Sequence, residues 1–207
     1  MQPDHSAAIG CGCTSRSTRV HAYGYGQTIS PNLASTGRDE RDGVVSMPIT
    51  RMNHAVLYVR SAARTQQFYA DVLGFTTVIE HPQGAFVFMR APASDNHHDI
   101  AFFTVGEDVG PSEAGSRTVG MYHLAWEVPT LEELAAMRER LSEAGALVGA
   151  SDHGANKSLY AKDPDGLEFE VMWLVPPEHW GDAEHLAITD PLDLDAERAH
   201  FATVGLR

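Results

Sequence analysis

Hydrophobic and polar positions follow the same order twice along the chain. Residues 52–105 predict a strand, a helix and three further strands, and residues 121–175 predict the same five elements again. The first strand of each set alternates between two faces over Met52–Val59 and Met121–Val128. The remaining predicted strands are Phe75–Glu80, Ala85–Arg90, Asp99–Val105, Leu147–Ala150, Ser158–Lys162 and Glu168–Leu174. We therefore predict an α+β fold built from two βαβββ modules.

End signals bound the helix of each module. Ser61 is placed as the N-cap of a helix over Ala62–Leu73, and Gly74 follows as the glycine that ends it. In the second module a capping box begins at Thr130, and the helix ends at Gly145. Both modules thus place one helix between their first and second strands.

The N-terminal 46 residues differ in composition from the rest of the chain. Eighteen of them are Gly, Ser, Thr or Pro, and only seven are Met, Ile, Leu, Val or Phe. Such a segment buries too little apolar area to offset its chain entropy. We predict a disordered arm at 1–46, a domain at 47–176 with modules at about 52–105 and 121–175, and a C-terminal tail at 177–207. We expect this acidic tail to be partly helical and to pack on a neighbouring subunit.

The charge of the chain narrows the classes of partner. The 207 residues carry a formal net charge of -13, which repels nucleic-acid phosphates and anionic lipid. No apolar run reaches the length of about 18 residues that a membrane span requires. The two cysteines, Cys11 and Cys13, are too close together to staple a fold. We therefore expect a cytoplasmic enzyme that binds neither nucleic acid nor membranes, and we expect it to form a homo-oligomer.

A histidine occupies the third position of the first predicted strand in both modules. His54 and His123 are 69 residues apart, so related modules would bring the two imidazoles to one central cleft. Glu170 is a carboxylate inside an otherwise apolar strand, which is costly unless it is paired or bound to a metal. The equivalent position of the first module is Ala101. Two histidines and one glutamate form the facial triad that is typical of non-haem iron(II), and this set leaves coordination positions open. Alternatively, His98 or Asp99 closes the site as a fourth ligand.

Three motifs in this region resemble the vicinal oxygen chelate superfamily, which includes glyoxalases, bleomycin resistance proteins and dioxygenases. They are Asn53-His54-Ala55, the Phe68-Tyr69 pair followed by Leu73-Gly74-Phe75, and the segment from Tyr160 through Asp163-Pro164-Asp165-Gly166 to Glu170. The resemblance covers about Met52 to Val175. It implies that the two modules form a curved mixed-sheet cup.

Finer matches resemble the type I extradiol ring-cleaving dioxygenases, the catechol 2,3-dioxygenase type. They include His98-Asp99-Ile100-Ala101-Phe102, His123-Leu124-Ala125-Trp126 and His153-Gly154. The resemblance implies that iron(II) is held by the three ligands His54, His123 and Glu170. It also implies that His98 acts on protons, and that His153 and Tyr160 line the substrate pocket. The substrates expected from this resemblance are a small catechol-like aromatic and dioxygen.

The chain also departs from those enzymes. We expect it to lack their further N-terminal pair of modules, and the link over residues 106–120 is lengthened while the gap from His153 to Tyr160 is shortened. Both changes border the pocket, so the substrate stays open. Besides iron(II), the ions Mn(II), Ni(II) and Zn(II) are possible. Two other functions remain: a glyoxalase-type lyase or isomerase that uses nickel or zinc, and a metal-free module that sequesters an aromatic drug. The first would need a fourth ligand from His98 or Asp99, and the second would need no metal ligands.

Overall fold

The computed structural model describes residues 49–114 and 117–205, and the predicted arm at 1–46 lies outside this range. The first module contains strands β1–β4 and helix α1, and the second contains strands β5–β8 and helix α2. A short strand β9 and a helix α3 follow. In chain order the elements are β1 (Ala55–Val59), α1 (Ala62–Leu73), β2 (Thr76–Glu80), β3 (Phe86–Arg90), β4 (Ile100–Thr104), β5 (Leu124–Glu127), α2 (Leu131–Glu143), β6 (Leu147–Asp152), β7 (Asn156–Lys162), β8 (Glu168–Leu174), β9 (Asp190–Pro191) and α3 (Leu194–Thr203).

Each module forms one mixed sheet with the same internal order. The first sheet has the order β1-β4-β3-β2, and the second has the order β5-β8-β7-β6-β9. In both modules the first strand runs parallel to the fourth, while the remaining pairs are antiparallel. The predicted α+β fold of two βαβββ modules is confirmed.

The two histidines lie just before their strands rather than inside them. β1 begins at Ala55, whose backbone N–H donates to the carbonyl of Asp99 at 3.0 Å, and β5 begins at Leu124. The predicted strands began at Met52 and Met121, which is three residues too early. Sheet pairing, which a sequence pattern does not show, decides where each strand starts. His54 and His123 therefore extend from the ends of two strands that lie at sheet edges.

The helix boundaries follow the predicted end signals. The Ser61 side chain accepts a hydrogen bond from the Arg64 backbone, and Gly74 ends α1 in the left-handed region at φ 77°. Thr130 caps α2 by accepting from the Glu133 backbone. A side chain with a Cβ is strained at the φ of 77° that the backbone has at position 74, which explains the glycine there.

The core is formed by α1 and α2, each packed on one face of the sheets. Tyr69 on α1 is the central aromatic residue, because its ring contacts Phe75, Phe102 and Phe169 with centroids 5.4, 4.8 and 6.0 Å away. These contacts join both modules, since Phe102 lies on β4 and Phe169 on β8. The structure buries Tyr69 fully and the neighbouring Phe68 only in part.

One buried carboxylate that binds two arginines also joins the modules. Asp165, in the turn between β7 and β8, accepts from the backbone and guanidinium of Arg60 at 2.7 and 3.0 Å and from Arg64 at 2.8 Å. Both arginines belong to the first module, close to the N-terminus of α1. The Asp165 side chain is nearly buried, so these bonds are shielded from water.

The C-terminal segment packs on the second module of its own chain. β9 pairs with β6, and α3 buries Leu194 and Phe201. The Phe201 ring contacts Trp173 on β8 at a centroid distance of 4.9 Å. The segment is partly helical, as expected. Its contact with the sheet of its own chain was not predicted, since we expected it to pack on a neighbouring subunit. None of the described helices is long and apolar enough to cross a membrane.

The buried Asp163, which lies beside the turn between β7 and β8, should make the stability of the protein depend on pH. Burial raises the pKa of Asp163 to about 6, even though one of its oxygens accepts from the backbones of Asp165 and Leu167. The folded state then binds more protons than the unfolded state between about pH 4 and pH 6, so the free energy of unfolding falls as pH rises through this range. We expect the free energy of unfolding of the wild type, relative to that of Asp163→Asn, to fall by about 2 to 3 kcal/mol from pH 4 to pH 6.

Urea denaturation of both proteins at several pH values measures this difference. Groups other than Asp163 titrate in both chains, so they cancel in the comparison. A constant difference across the range would show that Asp163 titrates at the ordinary value for aspartate.

Candidate active site

The buried carboxylate of Glu170 faces the imidazole of His123. β5 and β8 pair in parallel with Ala125 opposite Glu170, which places the residue before β5 beside that carboxylate. His123 Nε2 lies 3.0 Å from Glu170 Oε2, and Glu170 is only 7 % exposed. The other carboxylate oxygen, Oε1, lies 3.5 Å from Nδ2 of Asn156. The carboxylate is thus stabilised by hydrogen bonds inside an apolar strand.

The hydrogen bonds of His123 fix where its proton lies in the neutral ring. Nδ1 is buried and has no hydrogen-bond partner among the described residues. The neutral ring therefore carries its proton on Nε2, where Glu170 accepts it. A cation bound between the two residues would take the place of this proton.

Tyr160 and His153 continue the polar row on the second sheet. Tyr160 lies directly opposite Glu170 in the β7–β8 pair, as the symmetric spacing around the turn predicts. The Tyr160 hydroxyl is 2.8 Å from Nε2 of His153, and the ring of Tyr160 is 5.8 Å from that of His123. Burial and the nearby Glu170 raise the pKa of Tyr160, so the phenol keeps its proton.

His54 and His98 form a separate pair on the first module. Their ring centroids are 4.4 Å apart, and His98 also packs edge-on against Phe88 at 4.9 Å. Nδ1 of His54 donates to the side-chain oxygen of Asn53 at 2.8 Å, which leaves the Nε2 lone pair of a neutral ring free. Burial, followed by the neighbouring His54 and His97, lowers the pKa of His98.

Asp99 orders the loop that carries His98. Its carboxylate accepts from the Ala91 backbone at 2.8 Å and from the side chains of Ser94 and Asn96 at 2.7 Å each. Burial alone would raise the pKa of Asp99, but these hydrogen bonds outweigh burial and lower it. With both oxygens engaged in the loop, Asp99 has a structural role and makes a poor fourth ligand.

The strand registers show which residue of the first module is equivalent to Glu170. Val56 pairs with Ala101 in the first sheet, and Ala125 pairs with Glu170 in the second. Val56 and Ala125 are equivalent positions, so Ala101 occupies the place of Glu170 in the first module. Ala101 is fully buried and offers no ligand atom.

The predicted residues thus fall into two groups. The structure brings His123, Glu170, Tyr160 and His153 together, and it brings His54 to His98. It does not gather His54, His123 and Glu170 into one cluster, because no three His, Cys, Asp or Glu side chains within residues 49–114 and 117–205 are close enough to hold a metal ion.

The pair on the second module nevertheless fits a divalent metal. Two ligand atoms bound at about 2.1 Å and at right angles to each other lie about 3 Å apart, which is the separation between His123 Nε2 and Glu170 Oε2. Imidazole and carboxylate are donors that suit iron(II), manganese(II), nickel(II) and zinc(II).

Three polar groups on the second module were not singled out from the sequence. Asn156 shares the face of Tyr160 on β7, so strand alternation could have identified it. Lys157 is buried and pairs with Asp152 at 2.6 Å and with Glu197 of α3 at 3.0 Å. The third is the backbone carbonyl of Ile188, which lies 2.6 Å from Nδ1 of His153, and no sequence signal marks a main-chain atom.

Known proteins similar to this chain include two dioxygenases. Biphenyl-2,3-diol 1,2-dioxygenase 3 of Rhodococcus globerulus is 32 % identical over 143 residues, which are 65 % of this chain and 70 % of the relative. Catechol-2,3-dioxygenase of Bacillus subtilis is 30 % identical over 132 residues, which are 63 % of this chain and 44 % of the relative. The chain thus spans less than half of the second relative.

A solved structure and a family model agree with the fold. The crystal structure of a glyoxylase/bleomycin resistance protein/dioxygenase domain from Frankia sp. EAN1pec matches with a TM-score of 0.53 at 19 % identity, covering 65 % of this chain and 98 % of that one. The model of the Glyoxalase/Bleomycin resistance protein/Dioxygenase superfamily matches residues 51–171. The family model and the two-module fold therefore agree, and the chain belongs to the Glyoxalase/Bleomycin resistance protein/Dioxygenase superfamily.

Proposed function

We propose that this protein is an iron(II)-dependent extradiol dioxygenase that opens the ring of a catechol-type aromatic. The observation that carries the proposal is the row of Glu170, His123, Tyr160 and His153 on one sheet face. The names of the two similar dioxygenases support the same reaction class. The proposed substrates are a catechol-like aromatic and dioxygen.

The proposed metal ligands are His54, His123 and Glu170. His123 and Glu170 already converge, and His54 has an Nε2 lone pair that its contact with Asn53 leaves free. Since His54 does not lie with the other two in the described structure, the three-ligand site has to assemble as the ion binds. When bound, iron(II) would supply a Lewis acid and open positions for the two substrates.

The side chains around these ligands have distinct tasks in the proposal. His98 stands beside His54 and is the residue that exchanges protons with the substrate. Tyr160 and His153 bind and orient the polar end of the substrate. The edge-on contact between His98 and Phe88 continues to Phe86 and Phe103, so an aromatic wall adjoins the proton-transfer residue. Such a wall suits an aromatic ring as substrate.

Two observations favour this function over a glyoxalase-type lyase. A fourth protein ligand would have to replace the one that Ala101 lacks, and Asp99 is engaged in its own loop. A metal-free binding module gives no reason for a buried glutamate aimed at a histidine. The three-ligand set leaves room for both substrates at iron(II).

Replacing either ligand of the buried pair should abolish metal binding. We expect His123→Ala and Glu170→Gln, loaded anaerobically with iron(II), to retain less than about a tenth of the metal of the wild type. The first change removes a donor nitrogen, and the second replaces a charged carboxylate with a neutral amide, which is a weaker ligand. Metal analysis after gel filtration measures the iron per chain, and circular dichroism checks the fold.

Glu168→Gln is the matched control. Glu168 lies on the same strand, two residues from Glu170, and is partly exposed at the strand end. It should keep the full metal content. A full equivalent of iron in Glu170→Gln would rule out this ligand set.

Replacing His98 should separate proton transfer from metal binding. We expect His98→Ala to keep its iron and to lower kcat by about 10²- to 10⁴-fold, which is the usual loss for a general acid–base group. Catechol-dependent oxygen uptake and iron content are measured on the same preparation. His81→Ala removes a histidine on the far side of Phe86 and serves as the control.

The other outcomes for His98→Ala have clear meanings. Loss of both iron and turnover would identify His98 as a ligand, which agrees with the glyoxalase-type site. Unchanged turnover would remove His98 from the mechanism.

A further inference from the structure

A short part of the C-terminal segment, which we call the strap (residues 183–191), lies against the turn that carries His153. We propose that the strap is a positioning element, and that the backbone carbonyl of Ile188 determines which nitrogen of His153 carries the proton. The effect on catalysis rests on the function proposed above. The proton position does not, so the two can be tested separately.

The hydrogen bonds of His153 allow one arrangement in the neutral ring. Nδ1 lies 2.6 Å from the carbonyl oxygen of Ile188, and a carbonyl can only accept, so Nδ1 carries the proton. Nε2 is then an acceptor, and its partner at 2.8 Å is the hydroxyl of Tyr160. Tyr160 must therefore donate its proton to His153.

The direction of this bond decides what Tyr160 can do for a substrate. Since its only proton points to His153, its oxygen meets the site as an acceptor. A hydroxyl of the substrate would donate to that oxygen. With the opposite tautomer, Nε2–H would donate to Tyr160, and the phenol would then be free to act as a donor to the substrate.

Gly154 lets the strap come this close. A Cβ at position 154 would lie 2.6 Å from the Cβ of Ala183 and 3.0 Å from Cδ1 of Ile188, which is too close for both. The backbone of Gly154 is also in the left-handed region, at φ 75°. The glycine after His153 is therefore explained by the strap that packs on it.

Two further contacts hold the strap and the following helix in place. The strap ends in β9, where Asp190 and Pro191 pair with Asp152 and Ser151 of β6. Beyond the strap, Glu197 of α3 reaches the buried Lys157, which also binds Asp152. The end of the strap and the helix that follows it are thus held beside the His153 turn, as a positioning element requires.

The proton position can be read directly by nitrogen NMR. Full-length protein labelled with ¹⁵N at histidine is freed of metal and studied about two units above the ordinary histidine pKa of about 6.5. His153→Gln identifies the signal. We expect a protonated Nδ1 and an unprotonated Nε2 in the wild type, and we expect Gly154→Ala to lower the fraction of this tautomer.

Gly84→Ala is the matched control, because Gly84 has nearly the same φ, 71°, but no atom within 4 Å of an added Cβ. It imposes the same backbone strain without moving the strap, so its His153 spectrum should equal that of the wild type. A protonated Nε2 in the wild type, or an unchanged tautomer in folded Gly154→Ala, would overturn the proposal. If Gly154→Ala does not fold, the wild-type spectrum and Ile188→Ala, which shortens a strap side chain that packs on Gly154, decide the question.

Kinetics tests the catalytic consequence. With iron content unchanged, kcat of Gly154→Ala should fall at least about fivefold, the equivalent of one hydrogen bond, while Gly84→Ala keeps the wild-type value. An altered tautomer with unchanged kcat would refute the role in catalysis. If the wild type takes up no oxygen with any catechol, the proposed function fails, and the NMR result still decides the role of the strap.

Discussion

The site depends on one buried carboxylate held against one imidazole. Glu170 lies between two apolar residues of β8. Its carboxylate is stabilised there because Nε2–H of His123 and the side-chain amide of Asn156 lie within hydrogen-bonding distance. The parallel pairing of β5 with β8 sets this contact, and the antiparallel pairing of β7 with β8 brings Tyr160 to the same carboxylate. A shift of one residue in either register would turn Glu170 or Tyr160 away from the site.

The rest of the fold keeps the two modules joined so that their faces can cooperate. Tyr69 packs against aromatic residues of both sheets, and Asp165 ties the β7–β8 turn to Arg60 and Arg64. The modules have the same topology but different chemistry. The first presents aromatic rings and the His54–His98 pair, while the second presents the carboxylate and its hydrogen-bonded row. This division suits a substrate with an aromatic body and a polar, metal-binding end.

The sequence predicted the elements that local signals determine. The range of α1, its caps and the full extent of β8 agree with the prediction, because helix ends and alternation are written in neighbouring residues. The pairing of Tyr160 with Glu170 also followed from sequence, since a tight turn lies midway between them. Contacts between distant segments could not be predicted in this way. The start of β1 depends on a bond to Asp99, the burial of Tyr69 depends on three rings from elsewhere in the chain, and the contact to His153 comes from a main-chain oxygen. The gathering of the three proposed ligands stays a prediction.

The fate of dioxygen decides whether this protein is a ring-cleaving dioxygenase. The iron(II)-loaded protein is supplied with ¹⁸O₂ and a panel of catechols, and the products are examined by mass spectrometry. We expect a ring-opened product that carries both atoms of one dioxygen molecule, formed with one equivalent of oxygen uptake. A protein that holds its full iron yet leaves every catechol intact, or a product without labelled oxygen, would contradict it.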